Sequence, residues 1–164
     1  MKNCIEKIII LIILTFTILM HFENRFFSEL TSQYVATSLS YFIEITPVTA
    51  ENILFLKMND HIVPILISFE CTGFMFISIF ILTIFMMPNI SLKHRLVSLL
   101  LVSLIYLANI ARIIMGLTIG IYANIHTMIL FHDTVGQVFL LIFTVLLLLI
   151  FLNISGYIKL KRDL

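Results

Sequence analysis

The sequence predicts an all-α integral membrane protein of about four transmembrane helices, forming one membrane domain over residues 1–164 with an extracytoplasmic segment before the second span. Three observations lead there. Hydrophobic residues make up 61% of the chain and charged residues only 12%, with a mean hydropathy of +1.15, which lies outside the range of soluble domains. Apolar runs about long enough to cross a core of roughly 30 Å recur along the chain. The basic residues gather on one side of the membrane if those runs alternate in direction.

The first run, Ile8–Met20 (IIILIILTFTILM), follows Lys2 and Lys7 and has the outline of a signal peptide, but no A-x-A-like cleavage site follows it. It is read as an uncleaved first span, about residues 8–22. Phe22 to roughly Glu70 then forms an outer segment rich in acids, with Glu23, Glu29, Glu44, Glu51 and Asp60. Within it, Tyr34–Ile45 is too short for a span and is expected along the interface. Two β-like runs, NILFLKM and HIVPILI, flank Asn59-Asp60, the pattern of a short hairpin; Pro64 is tolerable there on an edge strand. A competing reading starts the next helix near Pro64, because proline is favoured in a first helical turn. Periodicity does not choose between them.

Three further spans follow, at about 68–87, 96–122 and 136–157. With four alternating spans, Lys2, Lys7, Lys93, Arg95, Lys159, Lys161 and Arg162 share one side and Arg25 and Lys57 the other. Both termini are then cytoplasmic, in the cell membrane. Cys4 and Cys71, the two cysteines, fall on opposite faces, far beyond disulfide reach. No linker, repeat or low-complexity tract divides the chain. No basic face with interleaved aromatics suggests nucleic acid.

Polar residues inside the apolar runs carry the functional signal. Arg112 lies 16 residues beyond Leu96, which on a straight helix is roughly 24 Å from the cytoplasmic edge. A guanidinium at that depth is costly and usually faces the bundle interior with a partner. Asn109, three residues earlier, shares its face and is expected to orient it. Cys71, in FECTG, and His132 and Asp133, in FHDTVG, reach about the same depth from other spans. Such a set suits acyl transfer: a thiolate attacks a carbonyl, histidine moves the proton, and a fixed cation stabilises the oxyanion. Glu70, beside the cysteine, is assigned to holding Arg112 or His132.

Each residue also has a plainer reading. Cys71, Thr72 and Gly73 are small and suit close helix packing. Arg112 fits a structural ion pair or a snorkelling side chain. His132 reads as a loop histidine in solvent, and Asp133 caps a helix as readily as it meets a substrate. His126, His61 and His21 are loop or interfacial residues.

Taken together, FECTG, NIAR and FHDTVG, in this order at the outer ends of successive spans, resemble the exosortase/archaeosortase family over roughly residues 52–151. The resemblance implies an intramembrane cysteine transpeptidase. Its substrate proteins end in a short motif, a transmembrane helix and a basic tail. By that likeness Cys71 forms a thioester, Arg112 stabilises the oxyanion and His132 is the acid/base, with an acceptor nucleophile of unknown identity releasing the product. No cofactor or metal is implied. Thr72 stands where serine is commoner, and the chain is near a minimal core. Other classes remain. A non-catalytic membrane binding or assembly subunit would use Arg112 and Glu70 as a structural pair. A metal-dependent hydrolase would need His126, His132 and Asp133 as ligands, and the sequence lacks H-E-x-x-H. A transporter would be expected to show repeated halves or broken helix pairs.

Overall fold

The computed structural model describes residues 25–42, 48–58, 61–87 and 90–156. The expected first span, Cys4, the lysines at 2 and 7, the Asn59-Asp60 turn and the basic residues from Lys159 onward lie outside the described residues. What is described is mostly helical, with one small sheet.

Helix α1 (Arg25–Phe42) buries Ser28, Thr31, Ser32, Val35, Ala36 and Leu39, which recur every three to four residues and so form one helical face. Ser28, Thr31, Ser32 and Ala36 are small, the residue types that suit close helix packing. The stretch expected along an interface is therefore largely part of a packed helix, with Ile43–Ile45 outside the described residues. Strands β1 (Val48–Ala50), β2 (Ile53–Met58) and β3 (His61–Leu66) form an antiparallel sheet in that order. The register pairs Met58 with His61 and Phe55 with Pro64, so the hairpin reading holds over the helix from Pro64. Ile67 N–H donates to Asn52 O at 2.8 Å. Because paired positions alternate along a strand, Pro64 turns its missing N–H away from β2, on the edge where it removes no ladder bond.

A 3₁₀ turn, Phe69–Thr72, follows the sheet and ends at Gly73, with φ of 72°. Helix α2 begins only at Phe74 and runs to Met86, where an apolar span from about residue 68 was expected. The cause is local: the left-handed residue at 73 breaks the helical path, and glycine takes that conformation without steric cost. Helix α3 (Leu92–Tyr122) is capped by Ser91, whose Oγ accepts from His94 N–H, four residues earlier than expected. Arg95 Nη2 donates to Met87 O at 3.0 Å, tying α3 to the end of α2.

The last expected span also starts early. Asn124 Oδ1 accepts from Thr127 N–H at 2.8 Å, starting helix α4 (Ile125–Leu130). A five-residue π turn, Phe131–Val135, joins it to α5 (Gly136–Ile154). His132 and Asp133, expected in a loop at the mouth of a span, thus lie inside a continuous helical run. That run, Ile125–Ile154, and α3 are long and apolar enough to cross a membrane, with 28% and 33% of their most apolar windows buried. Most of their apolar surface therefore faces outward.

Two apolar clusters hold the helices together. One joins Val35 and Leu39 of α1, Leu54 and Leu56 of β2, and Ile110, Ile113 and Leu117 of α3. The other joins Phe80 and Ile84 of α2, Ile105 of α3, and Leu140, Leu147 and Phe151 of α5. Asn109 and Arg112 fall on α3 where the two meet.

Candidate active site

Three separate elements supply the polar residues at this junction. The 3₁₀ turn brings Cys71, half-buried and not in a disulfide. Helix α3 brings Asn109, fully buried, and Arg112, 2% exposed. The π turn brings His132 and Asp133. Of the six residues singled out in the sequence, the fold gathers five and leaves Glu70 aside.

His132 is the centre of the cluster. Its Nδ1 lies 2.8 Å from Asp133 Oδ1, so Nδ1 carries the proton and donates to the carboxylate. Nε2 is then the acceptor, facing Arg112 Nη2 at 3.4 Å. That bond is long for a charged donor. The Cys71 thiol shares the wall of one cavity with this imidazole and lies 3.3 Å from Ser68 Oγ. A cysteine beside histidine and arginine is the setting in which thiolate is favoured. Asp133 is exposed while His132 is half-buried, so the carboxylate reaches in from the rim.

Arg112 is held from the far side by the chain itself. A Cβ on Gly136 would stand 2.8 Å from Arg112 Cγ and 2.9 Å from its Cδ. Glycine there leaves the channel through which the guanidinium reaches His132. Arg112 makes no ion pair with a carboxylate among the described residues, and its Nε is buried without a hydrogen-bond partner there. A buried cation with spare donors can receive negative charge that appears only during a reaction.

Two sequence expectations change. Glu70 is exposed and pairs with neither Arg112 nor His132 among the described residues. In a 3₁₀ turn of three residues per turn, adjacent side chains point about 120° apart, so Glu70 and Cys71 face different ways. Asn109 donates from Nδ2 to the backbone oxygen of Cys71 at 2.7 Å, where it was expected to orient Arg112. Ser68 was missed altogether. Its signal was the S-x-x-C spacing, which in a 3₁₀ turn stacks the first residue over the fourth.

A cavity of about 150 Å³ opens beside the thiol, with Cys71, His132 and Asp133 in its wall and Ile65, Leu117 and Met128 among its apolar lining. Among the described residues, no group of three or more His, Cys, Asp or Glu side chains is arranged to hold a metal ion. The arrangement is suited to proton movement between a thiol and an imidazole next to a fixed positive charge. No known protein family, curated protein or solved structure matches this chain.

Proposed function

We propose that the chain is an intramembrane cysteine transpeptidase of the exosortase/archaeosortase kind. It crosses the membrane about four times, with both termini in the cytoplasm and the Cys71 site on the extracytoplasmic side. The observation that carries the reading is that Cys71 and His132, from two elements, share the wall of one cavity, while Arg112, from a third, stands behind His132 with Nη2 3.4 Å from its Nε2. The outward apolar surface of α3 and of Ile125–Ile154 supports a bilayer as the solvent.

In this mechanism His132 Nε2 takes the thiol proton, and Cys71 Sγ attacks the carbonyl carbon of the scissile peptide bond. The carbonyl oxygen becomes an oxyanion facing the Arg112 guanidinium, which is preorganised and partly free of competing partners. Collapse breaks the C–N bond, His132 returns its proton to the leaving amine, and a Cys71 thioester remains. An acceptor nucleophile gives its proton to His132 and attacks the thioester carbonyl, and the C–S bond breaks to release the Cys71 thiolate, which takes that proton back from His132. Asp133 fixes the tautomer that makes Nε2 the base, the role a carboxylate plays beside a catalytic histidine. The substrate is a membrane-tethered protein with a C-terminal motif, helix and basic tail.

The assembly-subunit reading needs Arg112 and Glu70 as a structural pair, and Glu70 is exposed and unpaired among the described residues. Mass spectrometry of membrane-protein C-termini tests the proposal, in host cells carrying the wild-type chain or Cys71→Ser at matched abundance. A protein that loses its terminal helix only with the wild type supports it. C-termini that are the same in both strains would overturn it.

A further inference from the structure

Resting on the reading of Cys71 as nucleophile, we propose that Asn109 is a positioning residue that fixes the cysteine through its backbone, independently of Arg112. Asn109 Nδ2 donates to Cys71 O at 2.7 Å, spanning 38 residues of sequence. That carbonyl lies near the end of a one-turn helix, where the last carbonyls lack partners within the helix. The contact is reinforced from the other side. A Cβ at Gly73 would meet Asn109 Cγ at 2.8 Å and Cβ at 3.0 Å, so the amide occupies the space a side chain at 73 would take. Gly73 answers two demands together, a left-handed φ and this close approach.

A purely stabilising role does not account for the residue. Asn109 Oδ1 is buried without a partner among the described residues, and an unsatisfied buried acceptor weakens a fold. The geometry explains the amide differently. Asn109 and Arg112 lie three residues apart on one helix face, so a single turn of α3 holds both the backbone of the cysteine and the guanidinium that faces His132. The placement of the cysteine turn relative to the cation is then set by helix geometry, about 1.5 Å of rise per residue.

The test is the reactivity of Cys71 in the full-length chain, purified into lipid nanodiscs with Cys4→Ser so that one thiol is read. Iodoacetamide alkylation, followed by mass spectrometry from about pH 5 to pH 9, reports how far the thiol is coupled to His132. Asn109→Leu removes the donor at similar volume and without new charge. It is expected to slow alkylation near neutral pH about tenfold and to move the profile towards that of an ordinary cysteine. Gly73→Ala, which presses on the same amide, is expected to move the profile the same way. If leucine prevents folding, Asn109→Ala removes the donor without adding bulk.

A lowered thermal midpoint with an unmoved pH profile would mean Asn109 is merely structural and overturns the proposal. An effect of Asn109→Leu that disappears in an Arg112→Gln background overturns it too, because the asparagine would then act through the arginine. The readout is separate from substrate processing. A profile that responds to Asn109 while C-termini ignore Cys71 upholds the positioning and removes the transpeptidase. Processing that needs Cys71, with a profile indifferent to Asn109, does the reverse.

Discussion

The two halves of α3 have opposite surroundings. Towards Leu92 the helix gives the second cluster Leu101, Val102 and Ile105, which meet Phe80, Ile84, Leu140 and Phe151. Ser98 is the buried polar residue there, and its Oγ bonds within its own helix to Arg95 O, while the charged Arg95 is only partly buried and reaches the backbone oxygen of Met87. Towards Tyr122 the same helix buries Asn109 and Arg112, and each reaches another element, the cysteine turn or the π turn. The first half can be read as shape filling. In the second, a charge is buried where apolar packing would have been simpler, which is the usual mark of a site.

The contrast can be broken from either end. The largest effect is expected from Phe80→Ala, a fully buried ring in the apolar half. It should lower unfolding stability by about 3–5 kcal/mol, measured by thermal denaturation in nanodiscs, while processing below the new midpoint stays near wild type. Arg112→Lys acts in the other half. Lysine keeps the charge but replaces the five donors of a rigid planar fork with three on a rotating ammonium. The expected loss is about a hundredfold in processing rate, with a smaller fall in thermal midpoint than Phe80→Ala. Equal stability losses in the two variants would erase the distinction. The smallest effect belongs to Glu70→Gln. Exposed and unpaired among the described residues, it should change rate by less than about twofold, and a large loss would restore the glutamate to the site.

Much of this was legible in the sequence, for identifiable reasons. Arg112 and Asn109 stand out because charge and amide are rare in an apolar run. The β2–β3 hairpin was one of two open readings, offered by the Asn59-Asp60 dipeptide between two β-like runs, because nearly continuous apolar runs such as HIVPILI have no periodicity to exclude a helix from Pro64. Helix α1 was not legible as a packed helix, since the face it buries is partly Ser28, Thr31 and Ser32, which hydropathy counts as surface. Strand β1 is only three residues long, too short for a pattern. His132 was assigned to a loop because FHDTVG is polar and ends in glycine. The Asn124 cap that carries the helix through it lies seven residues upstream, and a π turn has no compositional signature. The pairing of Asn109 with a carbonyl is a backbone contact, and no side-chain pattern encodes one.

The π turn also sets a rule about insertions and deletions. Each residue of a regular helix turns the chain by about 100°, and the wide turn at Phe131–Val135 is the extra step that lets His132 and Gly136 both meet Arg112 while Leu140, Leu147 and Phe151 still face their cluster. Removing one codon between 131 and 135 would rotate α5 away from its partners even if every remaining residue were unchanged. In this short stretch the gene is constrained in its spacing as well as its spelling, so homologous chains should vary here by substitution and not by length.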